Sequence, residues 1–563
     1  MQAQSDRQSL FARATPFALV ASLLLICLVI INPFREMLAQ DDAWAYALMA
    51  KYTLATGKYH IHPFTVVNLP VQIYIAVALS KLFGYSLILL RCITLAFLFL
   101  SLGCFYLILR ESGHDRRLAE LMTLVFLACP LVLILSLAFM TDIQFLGWSL
   151  LALLLYLRGI RQQSVRLMFF GSLAAACAIG TRQFGVVLLL GLAACWCFSP
   201  RARRPSLRLI ASAGIIPLLA GMAQIYMGSR HPDGTQNAVM VEMHAFYASP
   251  IFAIAKELFW RSCIIFQYVG IGLLPLAPFV FGLRSSSLKK RFGGLPMWAI
   301  GLLTCAAICF ALSLGSFRSA RPPARHSGLW TPLGLYWALP VNLPPIPLVA
   351  WFFDISGIIG AGAMAILFAG ELKSVARSRT LSPETLLLLG TVLGFVTMDI
   401  LFSRLNDTYI IDLLPFVLLL IADVLRHHPS TARLLRASAV TSVVLIITLA
   451  FWLRAEYARE EAGWKSAEVL NQSGVQPIDI YGPLQWSMYH GTFDEWVGSG
   501  TKLGFDDWWD QRREQKQYRI WNEPVAVAPT GWRLLAGRSY RNFVFKRRFV
   551  LTLERDMKPH AGT

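Results

Sequence analysis

The stretch PFALVASLLLICLVII, residues 16–31, is apolar throughout and, extended to residue 33, is long enough to cross a bilayer as an α-helix. Similar runs recur along the 563 residues, of which 56% are hydrophobic, and this composition excludes an ordinary soluble enzyme. The sequence therefore predicts an α-helical polytopic membrane protein with about 13 transmembrane helices. The predicted spans are 16–33, 85–109, 119–138, 143–157, 167–180, 184–199, 208–227, 260–283, 295–315, 347–370, 383–402, 410–425 and 437–454.

Lys and Arg residues concentrate in alternate loops between these spans, beginning with Arg7 and Arg13 in the N-terminal tail. Basic residues in short loops favour the cytoplasmic side of a membrane. We therefore expect a bacterial inner-membrane protein with a cytoplasmic N-terminus and a periplasmic C-terminal segment. The net charge of +19 is then explained by topology and contact with membrane lipids, without a nucleic-acid partner.

Two adjacent aspartates, Asp41 and Asp42, follow the first span at the predicted external membrane surface. A carboxylate held there strongly prefers water or a specific partner, so a pair suggests chemistry at the interface. The alternative is that both are solvated residues at the start of a helix over 41–54, where negative charge is favourable.

The first external loop shows two amphipathic helical patterns, residues 41–56 and 69–83, which predict two interfacial helices over a cavity. Between them lie Lys58, His60 and His62, which are candidate substrate-binding residues. The two histidines could join the aspartates in a divalent-metal site, whereas an extended His-x-His segment often just displays both side chains on one face. The divalent metal stays an open alternative that we do not predict, and no other cofactor is indicated.

After Arg454 the composition becomes polar, aromatic and mixed in charge. We predict two domains, a transmembrane domain over 1–454 and a small external α/β domain over 455–563. A helical pattern over 456–471 precedes strand-like segments, including an alternating run over 540–553. The tryptophans of this segment could stack on sugars or build its core. They include Trp486, Trp508 and Trp509.

Several motifs occur in a characteristic order and share this external placement. Together they resemble the polytopic GT-C-type glycosyltransferases that use polyprenyl-phosphate sugars, including protein O-mannosyltransferases and bacterial lipid A aminoarabinose transferases. The motifs are Asp41-Asp42, Gly57-Lys58-Tyr59, Pro70, Phe83-Gly84, Arg91, Thr141-Asp142, Gly180-Thr181-Arg182, and Arg404 followed by Tyr409 and Pro415. The chain departs from the family in having Asp-Asp for Asp-Glu, Asn68-Leu69-Pro70 for a Lys-Pro-Pro-type element, and Thr181-Arg182 for Thr-Lys.

The resemblance implies a hexosyl or pentosyl transferase that moves a sugar from a polyprenyl-phosphate donor to a cell-envelope lipid, glycan or protein. Such a reaction needs a base near the acceptor and cations near the leaving phosphate. By analogy the catalytic residues are Asp41, Asp42 and Asp142, the donor-phosphate ligands are Arg91, Arg182 and Arg404, and Tyr409 is a substrate-binding residue.

Each of these roles has a structural alternative. Asp142 could cap the helix that follows it, Arg91 could snorkel to the interface, and Arg182 could neutralise a carboxylate. A polytopic lipid or solute transporter is the main alternative function, because ionisable groups inside membranes often serve transport.

The topology predicts a labelling pattern in intact spheroplasts. A cysteine replacing Ser499 in the external segment should react with a membrane-impermeant maleimide, whereas one replacing Ser286 in a cytoplasmic loop should not. Unsubstituted protein measures the background from native cysteines. The reverse pattern would overturn the orientation and move Asp41 to the cytoplasmic side.

Overall fold

The computed structural model describes most of the chain, and the account below is confined to those residues. They are 2–38, 42–65, 70–230, 246–282, 303–307, 357–362, 381–401, 407–426, 432–498, 515–523, 530–541 and 546–555, with single residues or pairs elsewhere. Most of residues 283–380 therefore lies outside the description, including most of the predicted spans 295–315 and 347–370.

The protein is predominantly helical, as predicted, with a small C-terminal sheet. The helices that precede the external segment are α1 Gln2–Ile31, α2 Ala43–Thr56, α3 Pro70–Phe83, α4 Leu87–Glu111, α5 Arg116–Ala128, α6 Pro130–Ser136, α7 Thr141–Gln162, α8 Val165–Thr181, α9 Val187–Phe198, α10 Leu207–Arg230, α11 Ile251–Gly272, α12 Ala277–Gly282, α13 Pro383–Leu401 and α14 Asp407–Arg426. A 41-residue helix, α15 Ala432–Gln472, follows them.

Five of the described helices are long and apolar enough to cross a membrane, namely α4, α7, α10, α13 and α15. The pair α5 and α6, bent by 66°, adds a sixth if it forms one broken span. The bend falls at Pro130, whose ring lacks the N–H needed to continue the helix. Shorter apolar helices include residues 17–31 of α1, α8 and the segment 183–198. The total of about 13 spans stays a prediction.

The two helices predicted in the first external loop are present as α2 and α3. Helix α2 ends at Gly57, which has a φ of 70° and so adopts the left-handed conformation that glycine tolerates. Helix α3 begins at Pro70 and packs against the end of α8, where a Cβ on Gly180 would lie 2.6 Å from Val71 Cγ2. Helix α3 therefore covers the C-terminal end of α8.

The C-terminal segment contains α16 Leu484–Tyr489 and α17 Thr492–Gly498, with strands β1 Ile480–Tyr481, β2 Tyr518–Glu523, β3 Trp532–Arg541 and β4 Arg547–Arg555. The strand order is β1-β2-β4-β3; β1 and β2 are parallel, and the other two pairs are antiparallel. Helix α15 continues unbroken through residue 454, so the membrane domain and the sheet share one helix. The domain boundary at 454 stays a prediction.

The external segment packs on α2. The ring of Phe493 lies 5.8 Å from Trp44 and 5.3 Å from Phe64, measured between centroids. The hydroxyls of Tyr489 and Tyr85 are 3.4 Å apart, and the Lys51 ammonium lies 5.2 Å from the Tyr489 ring centroid. These contacts fix α2, which begins immediately after Asp42, against the C-terminal segment.

Close packing between α9 and α13 gives a test of the helix arrangement. A Cβ at Gly191 would lie 2.7 Å from the Leu387 carbonyl oxygen and closer still to the Thr391 hydroxyl. Gly191→Ala should therefore lower the free energy of unfolding by about 1–3 kcal/mol through overpacking. The matched control is Gly221→Ala in α10, where no heavy atom lies within 4 Å and about 0.5–1 kcal/mol should be gained. Thermal unfolding of the purified proteins in detergent measures both, and equal midpoints would contradict this packing.

Candidate functional site

Arg182 lies at the C-terminal end of α8, where the chain turns into the short 3₁₀ helix Gln183–Val186. Its backbone is extended, and its N–H donates to the Ala178 carbonyl at 2.8 Å. Only 6% of its side chain is exposed. A guanidinium removed from water in this way requires charged or strongly polar partners.

Two buried carboxylates supply those partners. Arg182 Nη1 donates to Asp142 Oδ1 and lies 3.1 Å from Asp412 Oδ2. Each aspartate side chain is 1% exposed. Asp142 is in the first turn of α7, and Asp412 is in the second turn of α14. The single guanidinium therefore joins the ends of three helices, the N-terminal ends of α7 and α14 and the C-terminal end of α8.

Tyr409 belongs to the same cluster. It precedes Asp412 by three residues on α14, so both side chains share one helix face. The Arg182 guanidinium carbon lies 4.7 Å from the Tyr409 ring centroid, within cation–π range. The name Arg182 cluster is used below for Arg182, Asp142, Asp412 and Tyr409. It unites three predicted site residues with Asp412, which was not predicted.

The buried phenol of Tyr46 in α2 lies within electrostatic range of both Asp42 and the Arg182 cluster. Burial raises the pKa of Tyr46 well above its usual value, and the carboxylates of Asp42 and Asp142 raise it further. The phenol therefore stays protonated and can donate a hydrogen bond at neutral pH. The charges of Asp42 and Asp142 also act on Tyr409.

The cluster retains capacity to bind a ligand. Within the described residues, Arg182 Nε and Nη2 make no hydrogen bond, so three of the five guanidinium N–H groups are uncommitted. Among the same residues, Asp142 Oδ2 and Asp412 Oδ1 are buried without a hydrogen-bond partner. The site can thus offer cationic donors and carboxylate acceptors at neighbouring positions.

Asp399 is a further buried carboxylate, 1% exposed, near the C-terminal end of α13. Its Oδ2 has no hydrogen-bond partner within the part of the chain that the structure describes, and the charge of Arg182 acts on it. The sequence reasoning missed both Asp399 and Asp412. An acidic residue inside an apolar helix was the available signal, since such residues are rare in membranes unless they have a function.

Arg91 is 3% exposed and occupies a second, separate network. Its Nε donates to the Leu137 carbonyl at 2.8 Å, its Nη2 to Met37 at 2.7 Å, and its Nη1 to the carbonyls of both Arg35, at 2.9 Å, and Pro33. Four of the five N–H groups therefore hold backbone, which leaves one for any other ligand. These contacts fix the chain segment that leads from α1 towards Asp41.

A pocket of about 350 Å³ lies beside that segment. It contains no predicted site residue and is bounded by opposite charges that already pair, such as Arg35 Nη1 and Glu461 Oε2 at 2.6 Å. Its lining comprises Asn32, Phe34, Arg35, Glu36, Met37, Glu461, Trp464, Lys465 and Glu468.

The predicted substrate-binding residues of the first loop are dispersed. Lys58 and His60 are exposed, and His60 lies against Tyr52. His62 is buried, with its ring 5.0 Å from Trp44 and 5.4 Å from Phe493 between centroids. Burial lowers the pKa of His62 to about 4, so it is neutral at physiological pH. Within the described chain, no three His, Cys, Asp or Glu residues are grouped to hold a metal ion.

Asp41 and Arg404 lie outside the described residues, as does Trp509, so their predicted roles stay predictions. Trp486 and Trp508 are buried, with 0% and 6% exposure, and belong to the core of the external segment.

Comparisons with known proteins add structural likenesses. No family model matches the chain, and no curated protein matches it. Among solved structures, ArnT from Cupriavidus metallidurans bound to undecaprenyl phosphate is 16% identical with a TM-score of 0.41, covering 95% of this chain and 98% of ArnT. The apo state of the same ArnT is 14% identical with a TM-score of 0.38, again covering 95% of this chain and 98% of ArnT.

The Archaeoglobus fulgidus oligosaccharyltransferase in complex with Zn and sulfate is 13% identical with a TM-score of 0.28, covering 66% of this chain and 53% of that one. Because all three TM-scores lie below 0.5, we base the proposals below on the contacts of this chain itself.

The Arg182 cluster predicts a large, recoverable loss of stability. Arg182→Gln leaves two buried carboxylates without their cation and should cost about 3–5 kcal/mol of unfolding free energy. Adding Asp412→Asn should recover part of that loss. The matched control is Arg158→Gln, whose partner Glu111 and own side chain are 29% and 33% exposed, and which should cost about 1 kcal/mol or less. A double-mutant cycle of thermal unfolding measures the coupling, and additive effects at 182 and 412 would contradict the shared ion pair.

Proposed function

We propose that the protein is a membrane glycosyltransferase that moves a sugar from a polyprenyl-phosphate donor to a cell-envelope acceptor on the external face. The acceptor is a lipid, a glycan or a protein. In this proposal the protein is a multi-pass component of a bacterial inner membrane. The Arg182 cluster is the observation on which the proposal rests.

The cluster suits the phosphate end of the reaction. Asp142 and Asp412 hold one nitrogen of the guanidinium, and this orients the remaining N–H groups without occupying them. An oriented guanidinium binds two phosphate oxygens at once, which an ammonium group does not. Charge that accumulates on the departing phosphate would be stabilised by donors already in place, with little reorganisation. In our proposal Arg404 adds a second cation, and Arg91 acts mainly by holding the segment before Asp41.

The acidic pair suits the acceptor end. In the proposed step, Asp41 accepts the proton of the acceptor hydroxyl while the acceptor oxygen attacks the anomeric carbon. The bond between that carbon and the phosphate oxygen breaks, and polyprenyl phosphate leaves with the electron pair. Asp42 supports or replaces Asp41, and its influence on Tyr46 and Tyr409 brings this acid close to the phosphate end. Lys58 and His60, being exposed, are available to an acceptor.

A transporter is the second candidate, and Asp399 is the observation that favours it. This carboxylate is buried within α13, a helix long enough to span a membrane, as expected of a substrate pathway. The two functions separate in detergent solution, where no compartments exist. Formation of a glycosylated product there requires transfer chemistry.

The test is transfer from a radiolabelled polyprenyl-phosphate sugar to extracted envelope lipids and glycans by the purified protein in detergent. Arg182→Lys should keep part of the activity because the charge survives, whereas Arg182→Gln should raise the KM for the donor and lower kcat further. Asp41→Asn with Asp42→Asn should reduce kcat on the order of a hundredfold or more at unchanged donor affinity. The matched control is Asp479→Asn, an exposed aspartate of the external segment.

Melting curves confirm that each variant is folded before its kinetics are interpreted. If no product forms with any envelope fraction, and the protein moves the donor lipid across the membrane of vesicles, the transferase proposal is rejected in favour of the transporter. Wild-type turnover by the folded double aspartate variant would remove the acidic pair from the mechanism.

A further inference from the structure

The end of the β3–β4 hairpin carries a concentration of positive charge. Three arginines lie there, and all three are exposed. They are Arg538, Arg541 and Arg547, and together they are called the basic hairpin end below. The connecting residues 542–545 lie outside the described chain and form no part of this surface.

Neither of the two described strands carries a carboxylate beside these three arginines. Arg541 and Arg547 are directly opposite each other in the register, and like charges in that position destabilise a sheet. The only carboxylate on β3 or β4 is Glu554, which pairs with Arg533 at the other end of the hairpin. An arrangement that costs stability on its own is expected where an anionic partner compensates for it.

The hairpin end lies near the bilayer surface. Strand β3 packs against α15, and the Tyr540 hydroxyl lies close enough to act on the charge of Arg459 in that helix. The apolar run of α15 ends at Arg454, five residues earlier. At about 1.5 Å per residue, Arg459 stands roughly 7–8 Å beyond that point.

The strands are oriented so that the end carrying the basic residues is the end nearer the membrane. At the opposite end of the sheet, Tyr518 of β2 pairs with Glu554 of β4 and with Ile480 of β1. Strand β1 follows shortly after α15 ends at Gln472, so this end of the sheet is connected to the end of α15 that is farther from the apolar run. From Arg533 to Tyr540 the strand covers roughly 23 Å, close to the roughly 20 Å between Arg459 and Gln472 along the helix. Strand β3 therefore descends towards the bilayer and ends in Arg541.

We infer that the basic hairpin end docks on the phosphate headgroups of anionic phospholipids in the external leaflet. The part of α15 near Tyr540 stands roughly 7–8 Å beyond the apolar run, within the Debye length of about 8–10 Å at physiological salt, so attraction between this region and the lipid surface is weakly screened. Arginine binds lipid phosphate through paired N–H groups, and basic residues near an anionic surface add their contributions. The hairpin thereby becomes a second attachment of the external segment to the membrane, besides α15.

The test is hydrogen exchange of the full-length protein in nanodiscs of phosphatidylcholine alone or mixed with phosphatidylglycerol. Amides of residues 538–541 and 546–550 should exchange on the order of tenfold more slowly with the anionic lipid. The difference should vanish at 1 M salt, where the Debye length is about 3 Å. The triple variant Arg538→Gln, Arg541→Gln, Arg547→Gln should abolish it.

A control with the same loss of charge is Arg201→Gln, Arg203→Gln, Arg208→Gln, on exposed positions of the predicted cytoplasmic side, which should leave the hairpin difference intact. Equal exchange of the unsubstituted hairpin in both lipids would overturn the inference without any variant. Persistence of the difference in the folded triple variant would also overturn it. Protection by inorganic phosphate in phosphatidylcholine nanodiscs, equal to that by anionic lipid, would make this a site for free phosphate and reject membrane docking.

Discussion

Burying a guanidinium among apolar helices is the constraint around which this end of the helix assembly is organised. Such a charge is stable only if fixed partners replace its water, and the two arginines meet this demand in different ways. Arg182 uses carboxylates from α7 and α14, whereas Arg91 uses backbone carbonyls of the segment after α1 and of Leu137 after α6. The first solution keeps donors for a ligand. Arg91 uses four of its five N–H groups on backbone carbonyls, so the two arginines differ in how many donors they leave for a ligand.

The hydropathy of the sequence was sufficient to predict the helical architecture, because the thickness of a bilayer sets the length of each apolar run. Helix α4, for example, covers Leu87–Glu111 where a span over 85–109 was predicted. For Arg182 the sequence left two alternatives, a contact with the donor phosphate or an ion pair with a carboxylate such as Asp142. A short turn between two spans brings few other partners within reach of its side chain. Asp412 could have been found as a lone acid in an apolar helix. The partners of Arg91 could not, because a carbonyl acceptor has no residue identity and is set by chain geometry alone.

The C-terminal segment was predicted as a separate small domain because the composition changes after residue 454. In the structure it is joined to the apolar helices by one continuous helix, α15. Helix α15 passes through residue 454 without a break, and at about 1.5 Å per residue its 41 residues extend about 60 Å. A single helix of this kind transmits rotation and tilt, whereas a flexible linker would not. The position of the sheet is therefore tied to the packing of α15.

This continuity bears on Asp42. Helix α2 starts beside that residue and is clamped by Tyr489 and Phe493 from the external segment. The clamp belongs to a segment that α15 fixes on one side and, in our inference, the basic hairpin end fixes on the other. Two attachments restrict rotation of the segment about the axis of α15 more than one does, because a second contact away from that axis opposes the rotation. Anionic lipid would then act on the geometry of the proposed acidic pair through α2, at a distance from any substrate.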